Sequence, residues 1–231
     1  MRTPRRRAAV IVTAAGVGRR FGGRVHKAFA RLKGRPLVVW SLLACERAPA
    51  VAEVVVTVHP RDAARALALV RRWRCRKVRA VVPGGATRAE SVARGVAAVS
   101  PEISIIAVHD AARPLVTPAL IGRVVAAAAR DGAAIAAAPM VPTTKLVDAR
   151  GWITATLDRR RLWAAQTPQA FRRTLLARAY RQVRGRARQA ATDEAMLLER
   201  CGIRSRVVAD TPRNLKITTA EDLRVAEALL S

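Results

Sequence analysis

Short apolar segments alternate with amphipathic segments along most of the chain. The apolar segments are nearly continuous, as in parallel strands covered on both faces, and span 8–15, 53–59, 78–85, 103–114, 133–139 and 205–210. The segments with helical periodicity span 36–48, 61–73, 87–99, 118–132, 171–183 and 193–201. Because strands and helices alternate in this way, we predict an α/β fold with a doubly wound, mostly parallel sheet in a single domain over residues 1–231.

Capping residues support several of the predicted helix ends. Thr87 with Glu90 has the spacing of a capping box at the start of one helix. Thr219 with Asp222 has the same spacing at the start of a last helix, and Gly132 predicts a helix stop. The local signals therefore agree with the alternation of strands and helices.

The alternation breaks between Met140 and Gln169. Short segments of alternating polarity flank the turn sequence Asp148-Ala149-Arg150-Gly151, which is typical of a β-hairpin. We therefore expect an arm at about 140–165 that is inserted in the domain and projects from the sheet.

The chain is strongly basic, with a formal net charge of +27 at pH 7. All but five of its 43 basic residues are arginine, and they are scattered along most of the chain. The densest group, RRWRCRKVR at 71–79, interleaves Trp73 with cations and raises the alternative of a nucleic-acid-binding protein. Because the scatter is typical of a solvated surface, no specific nucleic-acid partner is expected.

Membrane insertion and cysteine chemistry are both disfavoured. No apolar run approaches the roughly 20 residues of a membrane span, and the basic start is better explained as a tail before the first strand than as a secretory signal. Cys45, Cys75 and Cys201 are widely spaced and form no CxxC, so neither a disulfide framework nor a cysteine zinc site is expected. These features indicate a cytoplasmic protein.

A glycine-rich segment, VTAAGVGRRFGGRVHK at 12–27, follows the first predicted strand and contains the cations Arg19, Arg20 and Lys27. Its bare backbone N–H groups can cradle phosphate oxygens at the carboxyl edge of the sheet. The spacing G-x-G-x-x-x-G differs from the dinucleotide fingerprint, and no GK[ST] follows as in a Walker A loop. We predict a nucleoside triphosphate site, with an ordinary strand-to-helix turn as the alternative.

Two further motifs follow predicted strands. In GGATRAES at 84–91, the two glycines permit close approach of a base, although a capped helix start explains much of this motif. In VHDAARP at 108–114, Asp110 is a candidate ligand for Mg²⁺ and Arg113 a candidate phosphate ligand. We favour a structural role for His109, because phosphoryl chemistry needs no base when the nucleophile is already anionic.

Seven motifs in order resemble the 2-C-methyl-D-erythritol 4-phosphate cytidylyltransferase family of the non-mevalonate isoprenoid pathway. They are AAGVGRR, GGATRAESV, VHDAARP, APMVPTTK, LDRRRLWAAQTPQAF, TDEAMLLERCG and NLKITTAEDL. The resemblance covers most of the chain, from Ala14 to Leu223. It implies a Rossmann-like nucleotidyltransferase sheet and transfer of CMP from CTP to methylerythritol phosphate, with release of pyrophosphate. Mg²⁺ or another divalent cation is the implied cofactor.

The resemblance also implies roles for individual residues. Arg20 and Lys27 would stabilise charge at the α-phosphate, and Arg159 and Lys216 would position the attacking phosphate. The implied CTP-binding residues are Ala14, Ala15, Gly16, Gly18, Arg19, Gly85, Arg88 and Ser91. The implied ligands of the polyol phosphate and the metal are Arg113, Thr143, Thr167 and Thr192, with Asp110 on the metal. A homodimer is implied in which each arm completes the partner's site.

Four residues depart from the family pattern. His26-Lys27-Ala28 stands where Pro-Lys-Gln is usual, Ala86 stands where an acidic residue is common, and Pro142 replaces an acidic residue of the arm. The nearest rival is a ribitol 5-phosphate cytidylyltransferase, which shares the architecture and most motifs. DAARP and LDRRRLW favour methylerythritol phosphate.

Overall fold

The structure is a computed structural model that describes residues 8–16 and 26–230. Gly18, Arg19 and Arg20 of the predicted site therefore lie outside the described residues.

A central sheet of seven strands organises the described part of the chain. The strands in chain order are β1 (Ala8–Ala14), β2 (Arg31–Leu32), β3 (Arg35–Pro36), β4 (Val51–Val58), β5 (Val78–Pro83), β6 (Ile105–Asp110), β7 (Ala133–Pro139), β8 (Lys145–Val147), β9 (Ile153–Thr156), β10 (Trp163–Arg172) and β11 (Arg206–Ala209). The order in the central sheet is β11-β7-β10-β6-β1-β4-β5. All neighbours pair in parallel except β10, which is antiparallel to both β6 and β7. The predicted mostly parallel α/β sheet is confirmed.

Helices cover both faces of the sheet. They are α1 (Leu37–Arg47), α2 (Ala63–Arg72), α3 (Arg88–Ala97), α4 (Pro118–Asp131), α5 (Arg173–Gln182), α6 (Gly185–Gln189), α7 (Glu194–Glu199) and α8 (Ala220–Leu229). Alternate residues of β1 belong to two hydrophobic clusters, because successive side chains of a strand point to opposite faces. One cluster includes side chains of α1 and α4, and the other includes side chains of α3, α5 and α7. The sheet is therefore buried on both faces, as its continuous apolar strands predict.

The structure corrects the prediction at β10, which sequence patterning did not identify. This strand contains Gln166 and Thr167 followed by Pro168, and proline cannot donate to a strand ladder. The pairing with β7 shifts register between Ala165 and Gln169, so the ladder is interrupted where the proline lies. The strand also displaces the start of the next helix from 171 to Arg173.

One of the two predicted capping boxes is complete and the other is partial, and the predicted helix stop is present. Thr219 and Asp222 form the complete capping box at the start of α8. At α3, Thr87 accepts a hydrogen bond from the Glu90 backbone N–H, but the Glu90 carboxylate accepts from Ala86 instead of Thr87. Gly132 ends α4 with a φ of +94°, in agreement with the predicted stop.

The hairpin prediction is confirmed by β8 and β9, which pair in an antiparallel arm. One Asp148 carboxylate oxygen accepts hydrogen bonds from the backbone N–H groups of Arg150 and Trp152, and Gly151 adopts a φ of +87°. Every residue of both arm strands is exposed. The arm therefore has no packing support from the core of its own chain.

The described residues show the state of the cysteines and the length of the helices. Cys45, Cys75 and Cys201 are all free thiols in the structure, the first two buried and the third partly buried. Among residues 8–16 and 26–230, none of the helices has the length and apolarity that crossing a membrane requires.

Two helix glycines provide a matched test of how tightly the helices pack on the sheet. A Cβ atom at Gly95 of α3 would lie 2.6 Å from Ile11 Cγ2 in the core, whereas one at Gly122 of α4 would meet no atom within 4 Å. We expect Gly95→Ala to lower the free energy of unfolding by about 1–3 kcal/mol through overpacking. Gly122→Ala should raise it by up to ~1 kcal/mol, because alanine favours the helix. Urea unfolding measures both, and equal effects of the two substitutions would contradict the packing argument.

Candidate active site

A cleft of about 750 Å³ lies at the carboxyl edge of the sheet, where β1, β4, β5 and β6 end. Parallel strands in open α/β sheets bring their carboxyl ends to one edge, and ligands bind there. Nine of the predicted site residues line this cleft: Ala14, Ala15, Gly16, Lys27, Gly85, Arg88, Ser91, Asp110 and Lys216. Motifs that are far apart in sequence are thus brought together by the sheet.

One end of the cleft is formed by the turn after β5. The Ser91 hydroxyl accepts a hydrogen bond from the Gly85 N–H at 3.0 Å and donates one to the Thr87 carbonyl at 3.0 Å. A Cβ atom at Gly84 would lie 2.4 Å from Ala15 Cβ. Glycine is therefore required here because the turn after β5 approaches the end of β1 too closely for a side chain.

At the other end, Asp110 is the centre of a charged cluster. Its carboxylate pairs with Lys216 Nζ at 2.6 Å and with the Arg88 guanidinium at 3.3 Å, and it accepts a hydrogen bond from the Thr13 hydroxyl at 3.2 Å. Although burial alone would raise the pKa of the Asp110 carboxyl, the charges of Arg88 and Lys216 hold that pKa well below its usual value. Asp110 is consequently an anion in the folded protein.

Glu194 orients Arg88 from the opposite side. Both carboxylate oxygens of Glu194 accept hydrogen bonds from one guanidinium nitrogen of Arg88 at 2.8 Å, and the side chain is almost completely buried. Burial raises the pKa of the Glu194 carboxyl, and the charge of Arg88 opposes that effect. The Tyr180 hydroxyl lies 3.4 Å from the same carboxylate. Arg88 is thus held between two acidic groups.

Glu194, Tyr180 and Thr13 contribute to the site but were not predicted from the sequence. Glu194 lies inside the motif TDEAMLLERCG, and an acidic residue on a short apolar helix was the signal available for it. Tyr180 and Thr13 carry no comparable pattern, since each is a single polar residue within an ordinary helix or strand.

Thr167 links β10 to the end of β6. Its hydroxyl accepts a hydrogen bond from the Asp110 backbone N–H at 3.1 Å and lies 3.0 Å from His109 Nδ1. His109 Nε2 lies 3.2 Å from the Arg113 carbonyl. The His109 ring is fully buried, and burial lowers its pKa to about 4. The ring is therefore neutral and hydrogen-bonded on both nitrogens, which confirms its structural interpretation.

Arg113 does not line the cleft. Its guanidinium donates hydrogen bonds to the carbonyls of Asn214 at 2.6 Å and Ala165 at 3.2 Å. Burial lowers the pKa of Arg113. In this structure the side chain joins the segment before Lys216 to β10.

Three other predicted residues are exposed and do not line the cleft of their own chain. Thr143 and Arg159 belong to the arm segment, and Arg159 donates a hydrogen bond to the Val141 carbonyl at 2.8 Å. The Thr192 hydroxyl lies 3.8 Å from the sulfur of Met196. The described part of one chain therefore assembles the cleft without its arm.

Comparisons with known proteins point to one family. The family model for 2-C-methyl-D-erythritol 4-phosphate cytidylyltransferase matches residues 8–231. A relative of that name from Pelotomaculum thermopropionicum is 45% identical over 223 residues, which are 96% of this chain and 93% of the relative. The crystal structure of 4-diphosphocytidyl-2C-methyl-D-erythritol synthase from Anaerococcus prevotii is similar with a TM-score of 0.86 at 26% identity, over 98% of this chain and 96% of that one. The cytidylyltransferase structure from Thermus thermophilus has a TM-score of 0.77 at 32% identity, over 96% of this chain and 98% of that one.

The buried neutral ring of His109 predicts how stability depends on pH. The unfolded chain gains a proton on this ring as the pH falls through 6.5, whereas the folded chain gains it only near pH 4. The contribution of this ring to the free energy of unfolding is complete above pH 6.5. As the pH falls from there through 4, the free energy of unfolding decreases by about 3 kcal/mol in total. Urea unfolding at several pH values across this range should show the decrease in the free energy of unfolding. His109→Gln should make the free energy of unfolding depend less steeply on pH. An unchanged slope in the variant, or a ring that titrates near pH 6.5 by NMR in the folded wild type, would contradict this prediction.

Proposed function

We infer the activity of this cleft from one premise, that the chain belongs to the 2-C-methyl-D-erythritol 4-phosphate cytidylyltransferase family. The protein is a nucleotidyltransferase that transfers CMP from CTP to 2-C-methyl-D-erythritol 4-phosphate. The products are 4-diphosphocytidyl-2-C-methyl-D-erythritol and pyrophosphate. The observation that supports this activity best is the convergence of Arg88, Lys216 and Asp110 in a cleft whose other end is a bare glycine turn.

CTP occupies the cleft with its base beside the turn after β5. Gly85 and Ser91 contact the nucleoside, and the backbone of Ala14, Ala15 and Gly16 approaches the phosphates. Lys27 lines the same cleft. In our proposal it stabilises the charge that develops on the α-phosphate, together with Arg20. Gly18 and Arg19 contribute to the same phosphate loop.

The attacking group is a phosphate oxygen of the polyol substrate, which is already an anion. No general base is needed, so catalysis depends on positioning and on cations that face the developing charge. Lys216 pairs with Asp110 in this structure, and it exchanges that partner for the incoming phosphate. Arg88 remains oriented by Glu194 during the exchange. Arg113, Thr167 and Thr192 do not line the cleft in this structure, and in our proposal they support the polyol phosphate side from outside that lining.

The donor set at Asp110 fits Mg²⁺ or another divalent cation. The family is generally dependent on a divalent cation, and Mg²⁺ is typically held by one or two carboxylates together with substrate phosphates. The buried, ionised carboxylate of Asp110 meets that requirement once Lys216 turns to the incoming phosphate. When bound, the cation neutralises charge on the triphosphate.

A homodimer in which arms are exchanged accounts for the exposed arm. Within residues 8–16 and 26–230, seven of the ten exposed large hydrophobic side chains lie between Val141 and Trp163, including Trp152 at 73% exposure. Large exposed apolar surfaces on soluble proteins mark interaction sites. Because Thr143 and Arg159 do not line the cleft of their own chain, we propose that they complete the partner's cleft. We also propose that the enzyme is cytoplasmic, consistent with its three free thiols.

The first test is pyrophosphate release by the purified protein with CTP and Mg²⁺. Release is expected with methylerythritol phosphate, and little release is expected with ribitol 5-phosphate. Release with ribitol 5-phosphate alone would move the protein to the other cytidylyltransferase branch. Retention on DNA that persists near physiological salt would instead support the alternative of a nucleic-acid-binding protein.

Mixing two inactive variants tests the exchange of arms. Lys27→Ala removes a cation from the body of one cleft, and Arg159→Ala removes a cation from the arm. Each variant alone should lose most of its turnover with the fold intact. If the arm acts on the partner, an exchanged equal mixture should regain about a quarter of wild-type activity, because half of the dimers contain one intact site. Confirmed subunit exchange without recovery would show that Arg159 acts within its own chain or not at all.

A further inference from the structure

Three potential metal ligands meet beside the cleft, outside the residues assigned to substrates or to Mg²⁺. His26, His59 and Asp62 each place one ligand atom so that all three atoms lie within 4.8 Å of one another. His26 Nδ1 is hydrogen-bonded to Asp62 Oδ2, and the centroids of the two histidine rings are 4.7 Å apart. The three side chains come from two segments separated by more than 30 positions in the sequence, so the fold itself brings them together.

The backbone around each ligand fixes its position. His26 directly precedes the short 3-10 turn Lys27–Phe29, and His59 directly follows β4. The backbone N–H of Arg61 donates to His59 Nδ1 at 3.3 Å, so an ion bound by this imidazole would replace that long hydrogen bond. Asp62 occupies the N-cap position of α2, yet its side chain makes no cap hydrogen bond.

The Asp62 carboxylate has no competing role as a helix cap. Asp62 ends the 3-10 turn Pro60–Asp62, which continues directly into α2, and His59 is the residue that caps this stretch. The Asp62 carboxylate contacts His26 instead. An anionic ligand is therefore available beside two imidazoles.

We propose that His26, His59 and Asp62 form a site for Zn²⁺ or a transition-metal dication of similar preference. Two imidazoles and one carboxylate suit such ions, whereas Mg²⁺ prefers sites with oxygen ligands only. Tetrahedral bonds of about 2.0–2.2 Å require ligand atoms roughly 3.4 Å apart, which small side-chain rotations provide from the observed cluster. Three protein ligands leave a fourth position for water.

The position of this site connects it to the cleft. His59 lines the cleft, and His26 is adjacent to Lys27, which also lines it. A bound ion would join the end of the glycine-rich segment to the β4–α2 connection. All three ligands are only partly buried, so that an ion can enter from solvent and the side chains can be replaced without opening the core.

Direct metal binding tests the proposal without using the enzymatic reaction. Tag-free, chelator-treated protein is titrated with Zn²⁺ against a chromophoric chelator, in an excess of Mg²⁺ that competes for sites built from oxygen ligands. We expect one Zn²⁺ per chain, with affinity reduced at least about tenfold in His26→Gln, His59→Gln and Asp62→Asn. Asp158→Asn is the matched control, because it removes an exposed carboxylate in the arm and should leave the affinity unchanged.

Cobalt spectroscopy separates this site from the cysteines. Co²⁺ at the proposed site should give visible d–d bands without the thiolate charge-transfer band that a cysteine ligand adds. Cys201→Ser should not change the spectrum, since that partly buried thiol is outside the cluster. The proposal is overturned if the wild type binds no stoichiometric Zn²⁺, if the three variants retain wild-type affinity, or if a thiolate band shows that a cysteine is the ligand. Failure here would leave the cytidylyltransferase assignment intact, since pyrophosphate release with Mg²⁺ is measured independently.

Discussion

The ion pairs around Asp110 are the interaction on which the site depends. A carboxylate that is almost completely buried at the end of a central strand requires compensating charge, because an isolated buried ion is very unfavourable. Arg88 comes from α3 and Lys216 from the segment before α8, and both contact Asp110. The need to neutralise one carboxylate therefore fixes two distant parts of the chain relative to the sheet.

The antiparallel strand β10 supports this arrangement from the side. It is inserted between β6 and β7, where the Thr167 hydroxyl contacts both the Asp110 backbone and the His109 ring. The same strand leads directly from the arm into the core, since it begins at Trp163. One strand thus connects the exposed segment to the hydrogen bonds beneath the charged cluster.

Sequence patterning predicted those parts of the molecule that depend on local or periodic signals. The buried parallel strands, the α4 stop at Gly132 and the hairpin turn at Asp148 each follow from short stretches of sequence. The strand β10 could not be predicted in this way, because Pro168 and the polar pair before it violate the strand pattern. The pairing with β7 accommodates these residues through a shift in register. Asp110 was identified from its motif at the end of a strand and Lys216 from the family resemblance, but their direct contact depends on the tertiary fold. The role of Glu194 was not predictable from its own helix, because its partner Arg88 lies 106 positions away.

The ion pairs of Arg88 and Lys216 affect how a protein with a net charge of +27 interacts with other anions. Cellular polyanions compete for every accessible arginine on such a surface, and nonspecific association with them is driven by release of their counterions. Arg88 already has Asp110 and Glu194 as internal counterions, and Lys216 has Asp110. A generic anion must displace these carboxylates before it binds Arg88 or Lys216, whereas it binds the solvated arginines elsewhere without that competition. These two cations are therefore shielded from the polyanions that the rest of the surface attracts.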